Sequence, residues 1–160
     1  MQRLRAAIGS DLLVLSSVTG IVYDEQNRIL LVKQSDVGLW STPGGSIDPL
    51  ETPADAVVRE VWEETGLYVA PTKLLGVYGG PMCSVTYPNG DQVTYITNVF
   101  ECEVRAGSLS TTSDETVDAT FVGASEFDEY DTTLWARHVV PHLYTRTAQG
   151  YFDAPTWRPR

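Results

Sequence analysis

The stretch GSIDPLETPADAVVREVWEETGL, residues Gly45 to Leu67, decides the reading of this 160-residue chain. Its second half has the marks of a helix at both ends. Thr52 is a good N-cap, Pro53 suits the first helical position, and Asp55 stands where a capping-box acid would. Gly66 is a natural C-cap, which leaves a helix of about 13 residues. On a wheel of about 100° per residue with Glu60 at zero, Glu63 falls near −60° and Glu64 near +40°. On the same wheel Ala54, Val58, Val61 and Trp62 fall between about 100° and 200°. The expectation is an apolar side for a sheet and, opposite to it, an acid side for something else.

Charge repulsion says what that something must be. At about 4 Å and an effective dielectric near 20, two like charges repel by about 4 kcal/mol. Carboxylates crowded on one face therefore need solvation, protonation or a cation. Hard divalent ions such as Mg²⁺ and Mn²⁺ take oxygen ligands, and Mg²⁺ commonly completes its shell with substrate phosphates. A bare ExxEE is more often a solvated helix face, so the cation reading depends on the residues around it.

Outward from the helix, the chain reads as strands. Leu12 to Tyr23 is rich in Leu, Val, Ile and Thr, with a possible break near Ser16-Ser17 or Gly20. Ile29 to Lys33 follows a polar turn and pairs with it as an expected hairpin. Trp40 to Pro43 is a short extended piece, and Gly44-Gly45 permits backbone shapes that a side chain resists. Downstream, Leu67 to Tyr78 is strand with Pro71 at an edge or bend. Gly79-Gly80-Pro81 is loop. Cys83 to Tyr87 and Val93 to Val104 are strands joined by the turn Pro88-Asn89-Gly90-Asp91, the second of them apolar on both faces and hence central. Ser108 to Glu115 is a polar loop, and Ala119 to Val122 a last strand. Leu134 to Thr147 is helical, limited or kinked at Pro141. Arg3 to Ile8 is a short helix or ordered arm, and the proline-rich tail from Tyr151 is irregular. The sum is an α+β fold, a mixed sheet between helices, with residues 1–160 as a single domain.

Composition narrows the partners. The apolar share is 42% and the charged share 20%, a globular balance. The net charge of −10 argues against duplex nucleic acid as a partner, and no run is apolar over the length of a membrane span. Met1 to Asp11 lacks the apolar centre of a signal peptide. Two cysteines, Cys83 and Cys102, form no CxxC pair and suit a reducing cytoplasm. An acidic protein that handles phosphates needs a cation between itself and its substrate. His138 and His142 are i,i+4 neighbours, but Pro141 lies between them and no third ligand is evident, so both read as ordinary histidines.

The longer pattern G-x5-E-x7-R-E-U-x-E-E-x-G-U, with U a bulky aliphatic, is filled by Gly45, Glu51, Arg59, Glu60, Val61, Glu63, Glu64, Gly66 and Leu67. In this the chain resembles the Nudix hydrolases of the MutT and ADP-ribose pyrophosphatase type. LWSTPGG, Leu39 to Gly45, looks like the usual lead-in. The resemblance implies an α/β/α sandwich that uses Mg²⁺, with Mn²⁺ able to substitute, to cleave a nucleoside diphosphate linked to another moiety. It implies that Glu60, Glu63 and Glu64 are metal ligands, with Glu60 also orienting or deprotonating the attacking water. It further implies a metal-facing carbonyl on Gly45, support from Gly44 and Glu51, and in Arg59 a pairing residue for the acids. Members often add an acid from a loop outside the box; Glu115 has the familiar spacing and is preferred over Asp114. A homodimer is consistent with the family.

The substrate is less legible. Trp40, Tyr78, Tyr87, Tyr95 and Trp135 are aromatic rings available for stacking, of which Trp40 and Tyr87 are the chosen candidates. Pro81 and Tyr87 lie near, but not at, the positions that mark ADP-ribose and diadenosine-polyphosphate members. The expected substrate is a phosphorylated nucleoside: a nucleoside diphosphate sugar such as ADP-ribose, or a nucleoside triphosphate. The alternative is a Nudix-like domain that binds a nucleotide for regulation without cleaving it, although such domains commonly have eroded boxes and this one keeps every acid.

Overall fold

Alternation along two buried strands sorts the apolar side chains between two helices. The computed structural model describes residues 2–87, 89–111, 114–147 and 149–156. Helix α1 (Gln2–Ile8) leads into β1 (Leu13–Val22), β2 (Ile29–Gln34), β3 (Trp40–Ser41) and β4 (Gly44–Ser46). Helix α2 (Pro53–Thr65) is followed by β5 (Leu67–Tyr78), β6 (Ser84–Thr86), β7 (Gln92–Gly107), β8 (Thr116–Val122) and α3 (Leu134–Leu143). Val18 and Val22 of β1, Leu30 of β2 and Cys102 of β7 face Ala56, Val57 and Val61 of α2. Their neighbours Ile21, Ile29, Leu31 and Val99 point the other way, toward Ala136, Val139 and Val140 of α3. Because successive strand side chains point to opposite faces, a continuous apolar run such as Ile29–Val32 can fill both cores at once. Each such side chain, fully buried, contributes about 1.5–3 kcal/mol. The result is the expected α+β sandwich.

The strands form two sheets. One is mixed, with order β4-β1-β7-β5 and β6 paired to β7; the other has order β3-β2-β8. β7 is central as its two apolar faces require, parallel to β1 from Leu13↔Val93 to Val22↔Cys102 and antiparallel to β5. Pro71 falls on the edge strand β5 at a register shift, where its missing N–H costs little. β1 runs unbroken through Ser16, Ser17 and Gly20. Gly20 is instead the point of closest approach by α2: a Cβ there would stand 2.6 Å from Val61 Cγ2 and 3.2 Å from Val57 Cγ2.

Four expectations need correction. β1 and β2 are not a hairpin. The bridge Tyr23↔Ile29, a bond from Asp24 N–H to the Arg28 carbonyl and bonds within Asp24–Arg28 close the turn, after which the strands diverge into different sheets. The reason is that both are buried on both faces, so each needs its own neighbours: β1 takes β4 and β7, β2 takes β3 and β8. The last strand is also longer than Ala119 to Val122, starting at Thr116. Helix α3 keeps Pro141 inside its last turn and ends at Leu143, short of Thr147. Tyr151 is bridged to Gly76 on β5, so the tail begins as an ordered strap. Pro88 of the β6–β7 turn, Ser113 beside the acidic loop, and Trp157 to Arg160 lie outside the described residues. Among the described residues no helix is long and apolar enough to cross a membrane.

Candidate functional site

Helix α2 is held at both ends as its sequence directs. Thr52 Oγ1 accepts from Asp55 N–H at 3.2 Å, and its own proton reaches Asp55 Oδ2 at 2.6 Å. Gly66 closes the helix in the left-handed conformation at φ 69°, its N–H bonded to the Trp62 carbonyl. What differs from the wheel is the direction in which the helix faces. The buried residues are Ala56, Val57, Glu60, Val61, Glu64 and Thr65, whereas Trp62 is half exposed and Ala54 fully on the surface. Glu60 and Glu64 are thus not opposite the packing face. They lie at its edge, 8% and 6% exposed, with only Glu63 out in solvent. The wheel gave Val58 and Trp62 as much weight as Val57, and Gly20 admits Val57 and Val61 closest to the sheet.

Burying these acids leaves them short of compensation, and the structure divides the remedy unequally. Arg59 serves most of them. Its Nε and Nη2 donate to the two oxygens of Glu51 at 2.9 Å each, a bidentate pair. Nη2 also donates to the Ser46 carbonyl at 3.0 Å, and Nη1 to Glu60 Oε1 at 2.8 Å and Glu63 Oε2 at 3.1 Å. The Glu51 carboxyl, bonded by Arg59 and by Asp48 N–H, is held down to about 2. The turn that carries it back has Leu50 fully exposed at φ 74°, a conformation that β-carbon-bearing residues adopt at some cost in strain. Burial pushes Glu60 up against the pull of Arg59, and Glu63 and Glu115 add to the upward push.

Glu64 has no such help. Its one hydrogen bond is from Gly44 N–H to Oε2 at 2.8 Å, and among the described residues no basic side chain pairs with it. Burial, with Glu60, Glu115 and Glu63 nearby, pushes its carboxyl up to about 8. The two glycines make this close approach possible. At Gly44, φ 155°, a Cβ would lie 2.2 Å from the Val18 carbonyl oxygen; at Gly45 it would lie 2.7 Å from the Glu60 carboxylate. Glu115, just before β8, joins Glu63 and Glu64 around a cavity of about 670 Å³ that Asp114 also lines. Its carbonyl accepts from Ser35 N–H at 2.9 Å, which ties the loop to the end of β2.

Among the described residues no three acidic, cysteine or histidine side chains converge as a closed metal cage. Arg59 stands where such convergence would begin, between Glu60 and Glu63. The donor set nevertheless fits a hard cation: all oxygen, partly buried, and including a buried carboxylate, Glu64, that no basic side chain pairs among the described residues. His138 lies on the exposed face of α3, tied by Nδ1 to the Leu134 carbonyl, and Cys83 and Cys102 are buried thiols outside any disulfide.

A second cleft, of about 490 Å³, opens across β4 from the acids. Gly44 belongs to both places, since its backbone lines the cleft and its N–H bonds Glu64. Ser17 and Thr97, bonded to each other at 2.7 Å, form part of its floor, and Tyr87 and Tyr95, joined hydroxyl to hydroxyl at 2.8 Å, part of its wall. Tyr87 is therefore at the cleft. Trp40 is not among the lining residues; its ring is edge-on to Tyr130 at 5.2 Å and packs against the α3-side core. Trp135 lines the cleft in its place. Ser17, Thr42 and Thr97 had no spacing signal to single them out, because they reach the cleft from separate strands and connections.

Comparison with known proteins identifies the family. The family model described as NUDIX domain matches residues 14–143. A MutT-like protein of Streptomyces ambofaciens is 33% identical over 127 residues, 79% of this chain and 75% of that one. An ADP-ribose pyrophosphatase of Methanocaldococcus jannaschii is 38% identical over 96 residues, 57% of this chain and 54% of its own, so the chain spans about half of that relative. The crystal structure of an ADP-ribose pyrophosphatase from Streptococcus suis superposes with a TM-score of 0.63 at 25% identity, covering 86% of this chain and 96% of the other.

Proposed function

Because the chain belongs to the Nudix hydrolase family, we propose that it hydrolyses the pyrophosphate bond of a nucleoside diphosphate linked to another moiety, with Mg²⁺ or Mn²⁺ as cofactor. Residues 1–160 act as one unit in this reading, since both cores draw on β1, β2 and β7. The observation that carries it is Glu64: a buried carboxylate with no cationic partner among the described residues, beside Glu60, Glu63 and Glu115. Glu60, Glu63 and Glu64 would hold the ion, with the Gly45 carbonyl and Glu115 as further oxygen donors. Once bound, the cation offsets the charge of the pyrophosphate and makes water more acidic.

The chain's own residues do the rest. Glu60, raised by its buried position, accepts the proton of the attacking water. The water oxygen bonds to phosphorus, the bridging P–O bond breaks, and the second phosphate leaves with the moiety attached to it. Gly44 N–H aims Glu64. Arg59 touches no substrate in this scheme; it positions Glu60 and Glu63 and is itself fixed by the bidentate pair with Glu51. Substrates of the ADP-ribose class stand first, from the two pyrophosphatases this chain resembles, and nucleoside triphosphates second. Tyr87 is the candidate contact for the base or sugar. The buried, unpaired thiols of Cys83 and Cys102 support a reducing compartment such as the cytoplasm.

The test is product analysis on a substrate panel that includes ADP-ribose and dGTP, with Mg²⁺ and with chelator. Magnesium-dependent release of two phosphorylated products from a member of the panel supports the proposal. Tight nucleotide binding without turnover on any member contradicts it, and favours a regulatory domain.

A further inference from the structure

Buried polar atoms almost always have partners, so each exception in a well-packed wall asks for a reason. Among the described residues, Thr42 Oγ1 and Trp135 Nε1 are both shielded from solvent and without a hydrogen-bond partner. Both residues line the same cleft. Thr42 is 5% exposed and sits two residues before Gly44, whose N–H aims Glu64. Trp135 lies in the first turn of α3. The two segments are tied together: Trp40 N–H donates to the Asp131 carbonyl at 2.8 Å, and Thr133 N–H to the Trp40 carbonyl at 2.9 Å. Thr133 Oγ1 caps α3 through Ala136 N–H and also reaches Ser41 Oγ at 3.3 Å. The neighbouring hydroxyls are thus spent on holding the wall, and these two atoms are not.

The chemistry of the pair limits what can satisfy it. An indole N–H only donates, so its partner must be an acceptor; a threonine hydroxyl both donates and accepts. Among the described lining residues there is no lysine, arginine or histidine, and the one charged side chain is Asp36. A phosphate placed here would meet a carboxylate and no counter-charge.

We propose that Thr42 and Trp135 are specificity-determining residues, and that their free polar atoms hydrogen-bond an uncharged moiety of the substrate while its pyrophosphate lies at the acid edge. The class selected is a nucleoside diphosphate derivative whose cleft-bound part, base or sugar, carries an acceptor and no further phosphate. This assignment rests on the pyrophosphohydrolase reading and deepens it.

The test uses the best substrate from the panel and the variants Thr42→Val and Trp135→Phe, read by steady-state kinetics and by thermal denaturation without substrate. Thr42→Val keeps the shape and removes the hydroxyl, so the free protein should keep or gain Tm, because an unpaired buried group is lost. The same variant should lower kcat/KM about tenfold through KM. Trp135→Phe should do likewise to KM, and the magnesium dependence of both variants should match the wild type. A lowered Tm with unchanged KM in Thr42→Val would overturn the assignment, since it would give Thr42 an internal partner. Unchanged KM in both variants would overturn it too. A substrate phosphorylated on the cleft-bound moiety, such as the 2′-phosphate of ADP-ribose, should be the poorer of the pair; equal turnover contradicts the neutral class. Absence of turnover in the wild type would instead be a failure of the hydrolase reading, which the panel detects first.

Discussion

The acid edge of α2 and the cleft across β4 are separated by one strand and obey opposite rules. At the edge, charge is concentrated: Glu51, Glu60 and Glu63 share the cation Arg59, and among the described residues neither the buried Glu64 nor Glu115 has a basic partner. In the cleft, charge is nearly absent, and hydroxyls and aromatic rings line the wall. An edge of that kind can act on any phosphate that reaches it, because a cation and a carboxylate do not read the rest of the molecule. The cleft has the complementary ability: it can select a neutral group and cannot by itself move a proton at phosphorus. Gly44 joins the two, and its missing side chain is what lets the strand lie against Val18 and Glu64 together.

If the division holds, damage at the edge should appear in kcat and damage in the cleft in KM. Glu60→Gln should give the largest effect, a fall in kcat of about 10²–10⁴ with little change in KM, measured on the best substrate at saturating Mg²⁺. An equal loss through KM alone would blur the comparison. Arg59→Ala should come next. It frees Glu51, Glu60 and Glu63 at once, and kcat should fall about 10–100-fold with a raised requirement for Mg²⁺. Arg59→Lys should not restore it, since a point ammonium cannot make the bidentate pair with Glu51. Gly20→Ala tests the seat of the helix instead of its chemistry. Its Cβ would press on Val61, so denaturation should show a loss of about 1–3 kcal/mol, with kcat of the folded fraction kept.

The smallest effect is one of pH on the metal-free protein. Below the usual carboxylate value of 4.5, residue 64 carries its proton in both the folded and the unfolded chain, and its contribution to stability is complete. From there to about 8 only the folded chain keeps the proton, so this contribution is lost as the pH rises through that window. Glu51 works in the other direction: its contribution is present above the usual value and disappears only as the pH falls toward about 2. Denaturation midpoints from pH 5 to 8 should therefore decline more steeply in chelator than in Mg²⁺, and Glu64→Gln should flatten the chelator curve.

The two regions also differ in how far the sequence revealed them. The edge is written in one helix and its approach. Caps at Thr52 and Gly66, the acids between them and the glycines before them are local, and the structure forms both caps as the sequence directs. The sequence erred on the direction of burial, because a wheel weighs side chains alone. It cannot see that Gly20, three strands' worth of chain away, is what admits Val57 and Val61 and turns Glu60 and Glu64 inward. The cleft is written nowhere locally. Ser17, Thr42, Tyr87, Thr97 and Trp135 meet only after β1 and β7 have paired in parallel and the connection to α3 has bonded to Trp40. For the same reason β1 and β2 read as a hairpin: nearness in sequence was visible, but the competition from β7 and β8 was not. Trp40 was chosen for its ring, which the fold uses against Tyr130.

The central claim is that the uncompensated Glu64 marks a catalytic cation site, and the magnesium dependence of turnover tests it most directly. Glu64→Gln keeps an oxygen for Gly44 N–H and removes only the charge. The wild type should turn over its best substrate in Mg²⁺ and not in chelator, and Glu64→Gln should need a Mg²⁺ concentration about 10–100-fold higher for half-maximal rate. A wild type that is fully active in chelator, or a Glu64→Gln variant with the same magnesium midpoint as the wild type, would contradict the account.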